Sequence, residues 1–479
     1  MKFDLALTGA LVVDPLSGVC EKACVGISDG KIALVAPELD PADAQTVIDL
    51  TGLVLQPGII DTHLHLGGEP RAHRMVALAG VTTCIDMCGP LEGILSDAAQ
   101  GGSGLNIAVL DAILPGKNVS GTNPEATEIR NFIDRTLEAG ALGVKLLGGH
   151  YPMTPQASAR MVEEAASAGV YMAWHCGTTE KGSNLEGLIE TVELCAGHPL
   201  HLPHLNAYCR GAVKNPIEEC LKAAELLESH PEFVTESYLS ARNGCPMQTD
   251  ETGTPISHIV TSNLKRRGFS PDRRGMYAAI RAGVLSVIMP QGDVLGLAIG
   301  DKAIAYHESV HGQCYGSFDG VNPFISGAFF ATARRNDGTF LVDGIGTDGG
   351  AIPRNVILEA GLCYVRASAL TRLEYAVKTS LLPARMLGLD QKGHLSIGAD
   401  ADLTVYDPMT QKAQFSFVAG KPILYQGRSI GQKGRIICTQ AGEKAVRNLG
   451  LEPIVVTGGI ACIDRKNYRS NPVPLAQKK

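Results

Sequence analysis

The sequence lacks the long apolar runs that cross membranes. No stretch of about 18 uncharged apolar residues occurs in the 479-residue chain, so we predict no spanning helix. The first residues, MKFDLALTGALVVDP, place acidic Asp4 near the start and contain neither a basic segment nor a continuous apolar core. This pattern is not that of a signal peptide, and we expect a cytoplasmic protein.

Clusters of positive charge and closely spaced cysteine pairs are missing as well. The formal charge is −7, and no run rich in lysine and arginine stands out. This argues against nucleic acid and anionic membranes as partners. The 13 cysteines are scattered, and none forms a C-x-x-C pair. Without an export signal, we expect most of them to be reduced and buried as small apolar side chains.

What the chain does contain is a strand–helix rhythm between two β-rich ends. Residues 1 to about 57 alternate short β-branched runs with turns, and a similar pattern returns near the C-terminus in segments such as QFSFVAGKPILYQG. Between these ends, apolar runs of about 4–8 residues alternate with amphipathic segments. The predicted strands are GIIDTHLHL, VTTCIDMCG, LNIAVLDAIL, ALGVKLLGG, GVYMAWHC, PLHLPHLN, EFVTESYL and FLVDGIGTD.

This alternation predicts an α/β fold whose parallel sheet is buried on both faces. Eight such strands favour a closed (β/α)8 TIM barrel, and a doubly wound open sheet is the competing layout. The stretch from about Ser240 to Thr339 does not fit the simple alternation. We expect loops and insertions there, together with one further strand, GVLSVIMP.

Six polar residues fall where a barrel has its active site, toward the carboxyl ends of the strands. Because side chains two apart on a strand share a face, His63 and His65 can point at one ion. A single histidine after a strand is more often structural, but a lysine inside an apolar strand is rare, since burying an unpaired ammonium is costly. The other four residues come from different βα units: Lys145, His175, His204 and Asp348.

Taken together, these motifs resemble the amidohydrolase superfamily over almost the whole chain. The resemblance rests on PGIIDTHLHL at the first strand and on PARMLGLDQKGHLSIGADADLTVYDP, which looks like the return from the barrel to a small β-domain. It implies a homo-oligomer whose subunit combines a TIM barrel with a small composite β-sandwich domain built from both chain ends. We therefore expect the sandwich at 1–57 and 389–440, the barrel at 58–388 and a C-terminal extension at 441–479.

The resemblance also implies a binuclear metal centre. The two histidines of the first strand would bind the more buried ion, and His175 and His204 the second. Asp348 would ligate the first ion and serve as general base and then general acid. Lys145 would bridge the ions as N6-carboxylysine, because an ammonium between two cations is repelled whereas a carbamate is an anionic ligand. Two Zn²⁺ ions suit this ligand set best, and manganese, cobalt or iron are the alternatives.

The implied function is hydrolysis of a C–N amide bond in a small-molecule substrate by a metal-bridged hydroxide. The substrate would be a small cyclic amide or ureide, or an N-acyl amino acid. A deaminase is a second enzyme hypothesis, but superfamily deaminases commonly use one metal and lack the bridging lysine. A catalytically inactive scaffold protein is the third. Such relatives typically lose ligands, whereas all six candidates remain here.

Two departures leave the branch of the superfamily open. N-acyl-D-amino-acid deacylases carry a metal-binding cysteine after the second strand, where this chain has Cys88. Those enzymes lack a lysine in the fourth strand, so the bridge is either Lys145, which we favour, or Cys88. Dihydroorotases usually place an arginine directly after the His-x-His-x segment to hold the substrate carboxylate. Gly67 and Gly68 stand there instead, which argues against dihydroorotate as the substrate.

Residues close to the six ligand candidates are expected to contact the substrate. His150 and Tyr151 shortly follow Lys145, and Tyr238 lies on the seventh strand beside Glu236, a further candidate lining residue. An arginine on a nearby loop, Arg71, Arg210 or Arg354, could bind an anionic group. The predicted substrate contacts are His150, Tyr151, Arg210 and Tyr238.

Overall fold

The chain begins with five strands of a nine-stranded sheet. The computed structural model describes residues 2–457, 459–460 and 463–475. The long first strand pairs antiparallel with the second and parallel with the fourth and fifth. These strands are β1 (Phe3–Asp14), β2 (Val19–Ser28), β3 (Lys31–Ala36), β4 (Ala44–Asp49) and β5 (Val54–Pro57).

Seven parallel strands follow, and each is joined to the next by a helix. They pair in chain order and are almost continuously buried, as a sheet covered on both faces requires. The strands are β6 (Ile59–His65), β7 (Val81–Asp86), β8 (Asn106–Ala112), β9 (Gly143–Leu147), β10 (Tyr171–His175), β11 (His201–Leu202) and β12 (Val234–Tyr238). The helices are α1 (Pro70–Leu78), α2 (Leu91–Gly101), α3 (Ala126–Glu138), α4 (Pro155–Ser167), α5 (Leu185–Leu194) and α6 (Pro216–Ser229).

A small α/β unit is inserted after the seventh barrel strand. It has its own four-stranded antiparallel sheet and its own apolar cluster, which includes Met276, Leu285 and Phe318. The segment GVLSVIMP, predicted as a further strand, lies in this sheet and not in the barrel. The unit comprises β13 (Cys245–Pro246), α7 (His258–Arg266), α8 (Arg273–Arg281), β14 (Leu285–Gln291), β15 (Val294–Ala298), α9 (Gly300–Ser309) and β16 (Tyr315–Phe318).

Residues 344–350 close the barrel because they pair with both of its edge strands, β12 and β6. The chain leaves the insertion through α10 (Phe324–Thr332), which packs against α6 and β12. Then β17 (Gly344–Gly346) pairs parallel with β12, and β18 (Gly349–Gly350) pairs parallel with β6. A Cβ on Gly350 would lie 2.2 Å from the His65 carbonyl oxygen, so only glycine permits this close approach. The predicted (β/α)8 barrel is confirmed, and the open-sheet alternative is wrong.

The chain then returns to the first sheet. After α11 (Ile357–Arg366), α12 (Arg372–Ala376), a π-helical turn at Val377–Leu381 and α13 (Leu382–Met386), four strands extend that sheet beyond β5. Apolar residues from both chain ends, such as Leu7, Leu55 and Phe417, form one cluster. A sheet-rich domain built from both ends is thus observed, while boundaries at 57, 388 and 440 stay a prediction. The added strands are β19 (Leu403–Asp407), β20 (Lys412–Val418), β21 (Lys421–Tyr425) and β22 (Arg428–Ser429).

The last part of the described chain rejoins the barrel. β23 (Arg435–Cys438) pairs parallel with β8 and with β24 (Glu452–Val455), and α14 (Glu443–Asn448) lies between these two strands in the chain. Residues 458, 461–462 and 476–479 of the predicted extension lie outside the described residues. Within the part of the chain that is described, each helix is too short or too polar to cross a bilayer.

Candidate active site

The carboxyl ends of the barrel strands surround a cavity of about 280 Å³. All six predicted metal ligands line it: His63, His65, Lys145, His175, His204 and Asp348. Lys145 lies within β9, His175 ends β10, and Asp348 lies between β17 and β18. Residues far apart in the chain therefore meet at the predicted end of the barrel.

The first cluster consists of His63, His65 and Asp348. The Oδ1 atom of Asp348 lies 2.9 Å from His65 Nε2 and 3.5 Å from His63 Nε2. One ligand atom from each of the three residues falls within 4.8 Å of the others, a spacing that fits a single metal ion. Asp348 adopts a φ of 52°, a left-handed conformation that is strained for this residue type and that concentrates at functional sites.

The charge of Asp348 is fixed by its surroundings. Burial alone would raise the pKa of this carboxyl group, but Arg354 and the two histidines hold it well below its usual range. Arg354 Nη2 lies 2.6 Å from Asp348 Oδ2, which leaves Oδ1 to face the histidines. The carboxylate is therefore ionised and oriented toward the cluster.

The second cluster is formed by His175 and His204. Their Nδ1 and Nε2 atoms, respectively, lie 3.1 Å apart, so two ring nitrogens face the same point. The opposite nitrogen of His175, Nε2, lies 2.8 Å from the hydroxyl of Ser183, which orients the ring. His204, like Asp348, has a left-handed backbone, with a φ of 40°. Burial lowers the pKa of both histidines well below its usual value, so both rings are neutral, as metal ligation requires.

Lys145 lines the same cavity as the two clusters. It is 1% exposed, and burial lowers the pKa of its amine to about 8. Within residues 2–457 and the shorter described segments, its amine makes no hydrogen bond or ion pair. A buried lysine without a partner is costly, and one with a lowered pKa has a neutral, nucleophilic fraction near neutral pH.

Glu236 is the residue whose importance the sequence pattern did not reveal. Its Oε1 atom lies 2.7 Å from His63 Nδ1 and accepts a hydrogen bond of 2.5 Å from the backbone N–H of His204. One carboxyl group thereby joins both clusters. Burial raises its pKa to about 8. In the sequence, Glu236 is visible only as an acidic residue within the strand FVTESYL, which predicted no more than a residue lining the active site.

Glu236→Ala is expected to weaken metal binding about 10–100-fold, because outer partners of ligating histidines contribute this much to metal affinity. Glu236→Gln is the matched control, since its amide oxygen can still accept both hydrogen bonds, and its affinity should stay within about fivefold of the wild type. Competition with a metal-binding dye measures both affinities. Equal losses in the two variants would show that charge, and not hydrogen-bond acceptance, is what matters.

Cys88 lies beside the first cluster but on its outer side. Its Sγ atom lies 3.2 Å from His65 Nδ1, whereas the opposite nitrogen of that ring faces Asp348. The backbone N–H of Cys88 donates to Asp86 Oδ1, which anchors the loop after β7. Cys88 therefore contacts His65 at the ring nitrogen opposite to the one that faces Asp348.

The predicted substrate contacts divide into two groups. His150, Arg210 and Tyr238 line the cavity. Tyr151 is outside the cavity lining, is 37% exposed, and accepts a hydrogen bond from Lys117 Nζ. The cavity also has a wall that the sequence pattern did not predict, formed by the first helix of the insertion. The residues of α7 that line it are His258, Ile259, Ser262, Asn263 and Arg266.

Comparisons with known proteins identify the family and similar sequences. The sequence model of the amidohydrolase family matches residues 54–431. A dihydroorotase of Pelotomaculum thermopropionicum is 26% identical over 90% of this chain and 95% of that protein. An allantoinase of Bacillus velezensis is 24% identical over 93% of this chain and 96% of that protein.

Solved structures agree with the fold. An N-acyl-D-glutamate deacylase of Bordetella bronchiseptica, crystallised with zinc and a phosphonate inhibitor, superimposes with a TM-score of 0.66. The match covers 91% of this chain and 99% of the deacylase at 18% sequence identity. A D-hydantoinase matches 91% of this chain and 98% of its own with a TM-score of 0.55 and 17% identity.

Proposed function

Because this chain belongs to the amidohydrolase family, we propose that it hydrolyses a C–N amide bond in a small cyclic amide or ureide or in an N-acyl amino acid. The observation that supports this most directly is the meeting of four histidines, Asp348 and a buried lysine at one end of the barrel. The similar sequences support the same type of substrate, because a dihydroorotase and an allantoinase act on cyclic compounds. An inactive scaffold would have no need to keep this costly buried set.

The side chains present fit divalent cations. Two pairs of histidines each direct ring nitrogens at one point, and Asp348 adds an ionised oxygen to the first pair. Burial lowers the pKa of His63, His175 and His204 well below its usual value, so these rings are neutral, the form that binds metal. Against the effect of burial, Cys88 and Asp348 raise the pKa of His65 to about 10, so metal binding at His65 would release a proton. Nitrogen and carboxylate ligands of this kind suit Zn²⁺. When bound, two such ions would polarise the substrate carbonyl and lower the pKa of a water molecule.

Lys145 would hold the two ions together as its carbamate. The neutral amine attacks carbon dioxide, a C–N bond forms, and one proton is released. The product carries two oxygens and a negative charge, which relieves the cost of an unpartnered buried ammonium. The lowered pKa of Lys145, about 8, supplies the neutral amine that this reaction needs.

Asp348 would move the proton during hydrolysis. The water oxygen adds to the carbonyl carbon, and the carboxylate of Asp348 accepts the proton that the water loses. The same carboxyl group then delivers that proton to the nitrogen as the C–N bond breaks. Its low pKa keeps the carboxyl group ionised, the form a general base requires, and Arg354 fixes its direction.

A deacylase that uses Cys88 as the bridging ligand is the second candidate. The thiol lies next to the first cluster, since Cys88 Sγ is 3.2 Å from His65 Nδ1. In the arrangement described above, however, it orients His65 from behind. We therefore assign the bridge to Lys145 and an orienting role to Cys88.

Metal analysis and a substrate screen test the proposal. We expect about two equivalents of zinc per chain after purification with zinc and bicarbonate, and loss of turnover on chelation with return on zinc addition. The screen contains cyclic ureides, imides, lactams and N-acyl amino acids of both hands. A protein that binds no metal under these conditions would contradict the proposal.

Self-association and a cytoplasmic location stay predictions. Sedimentation measures the first, and cell fractionation measures the second.

A further inference from the structure

A second, smaller cavity of about 170 Å³ adjoins the first. The two share four lining residues: Ser183, Ala207, Arg210 and Arg266. Ser183 also contacts His175 of the second cluster, so the extra space begins next to the reactive end of the site. A substrate whose C–N bond lies at the clusters can therefore extend past Arg210 into this cavity.

The side chains that line the two cavities carry mainly positive charge. Among the described residues that line either cavity, Asp348 is the one acidic side chain, and Arg354 neutralises it. Arg210 and Arg266 supply two guanidinium groups at the junction of the cavities. The described residues that line the cavities offer these two groups no acidic partner.

Arg210 is held in place by neutral partners. Its Nε donates to Asn322 Oδ1 at 2.7 Å, and its Nη2 donates to the Tyr238 hydroxyl at 2.9 Å. The Tyr238 hydroxyl itself donates to Asn322 Oδ1, and Asn322 Nδ2 donates to the backbone carbonyl of Ser240. This network fixes the guanidinium without neutralising it. No carboxylate of the described chain lies within ion-pair distance of Arg210.

Arg266 approaches the same place from the inserted unit. It is exposed near the end of α7, and it makes no hydrogen bond or ion pair with any residue that the structure describes. Its neighbour Arg267 differs, because it donates to Asn263 and to the Asp319 carbonyl. One rigid and one free arginine therefore face a shared polar space, an arrangement suited to a carboxylate.

We propose that Arg210 and Arg266 form an anion subsite that selects substrates bearing a carboxylate away from the C–N bond to be cleaved. This inference rests on the proposed function, since it takes that bond to lie at the two histidine clusters. The Tyr238 ring connects the two ends of the site, because it lies between Arg210 and Arg354, whose guanidinium carbon is 5.0 Å from the ring centre. Arg210 thus has a fixed position relative to Arg354, the partner of Asp348.

Matched acids and amides test the subsite by activity. The pairs are N-acetylglycine with N-acetylglycinamide, and 5-(carboxymethyl)hydantoin with its carboxamide. In the zinc-loaded wild type, kcat/KM should favour the acid of the hydrolysed pair. Arg210→Gln and Arg266→Gln should each lower this acid-to-amide ratio about tenfold or more, mainly through KM, because a charge-assisted hydrogen bond is lost. Arg274→Gln, an exposed arginine of α8 outside both cavities, is the control and should keep the ratio.

A binding measurement separates failure of the subsite from failure of the proposed function. Calorimetry of the zinc-loaded protein with succinate and with succinamide needs no turnover. The wild type and Arg274→Gln should bind the acid about tenfold more tightly than the diamide, and the two arginine variants should lose this preference. Absence of hydrolysis with the binding preference intact would contradict the proposed function alone. A wild type without preference, or an equal loss in Arg274→Gln, would overturn the subsite.

Discussion

Asp348→Asn should retain both metal ions and lose turnover by about 10²–10⁴-fold, the usual contribution of a general acid–base group. The amide oxygen can occupy the place of Oδ1 between the two histidines, so one ligand atom is kept. What the amide cannot do is accept a proton and return it to the leaving nitrogen. Steady-state kinetics on the best substrate of the screen, together with metal content, measure both effects.

The control for this variant is Asp293→Asn, whose side chain is 83% exposed in the turn between β14 and β15. It removes the same charge away from the cavity and should leave kcat and metal content unchanged. Melting temperature shows whether Asp348→Asn keeps the fold. Arg354 should stay anchored, because it also donates to the carbonyl of Arg242. Wild-type turnover in Asp348→Asn would disprove the proton-transfer role.

Lys145→Met should lose metal and activity together. Methionine fills the buried space but cannot form a carbamate, so two neighbouring cations would lack their anionic bridge. We expect metal content to fall from about two equivalents to about one or less, with loss of most turnover. Metal analysis by mass spectrometry measures the first effect. Wild-type protein prepared in ¹³C-bicarbonate should show a carbamate resonance that the variant lacks.

Cys88→Ser is the comparison that decides between the two candidate bridges. If Cys88 only orients His65, this variant should keep about two equivalents of metal and lose less than about tenfold in turnover. The opposite pattern, with metal lost in Cys88→Ser and kept in Lys145→Met, would assign the bridge to the thiol. It would also favour the deacylase alternative.

The barrel was predictable because each of its strands is marked locally. Strand β9, GVKLL, is buried at all five positions, and β10, YMAWH, is buried at its first four. A strand covered on both faces needs apolar residues at successive positions, so the pattern is visible in the sequence. The strand-end histidines were predictable for a related reason, since polar side chains at the end of an apolar run are exceptional.

The inserted unit was less predictable. Strand β14 was recognised, but its partners β15 and β16 lie in short segments that are only partly buried or follow a turn. Their pairing is antiparallel and set by contacts within the unit. The pairing of β23 with β8 also joins residues far apart, such as Arg435 and Asn106, which no local pattern links.

The sequence by itself determined the kind of fold, the end of the barrel that carries the site and the six candidate ligands. These features follow from residue type and spacing along single strands. Only the tertiary structure decided what surrounds them. It brought Glu236 to His63 and His204, placed Cys88 beside His65 Nδ1, and brought Arg266 into the same cavity lining as Arg210. Such contacts join side chains from different βα units, and their distances depend on how barrel and insertion pack, which spacing along the chain does not encode.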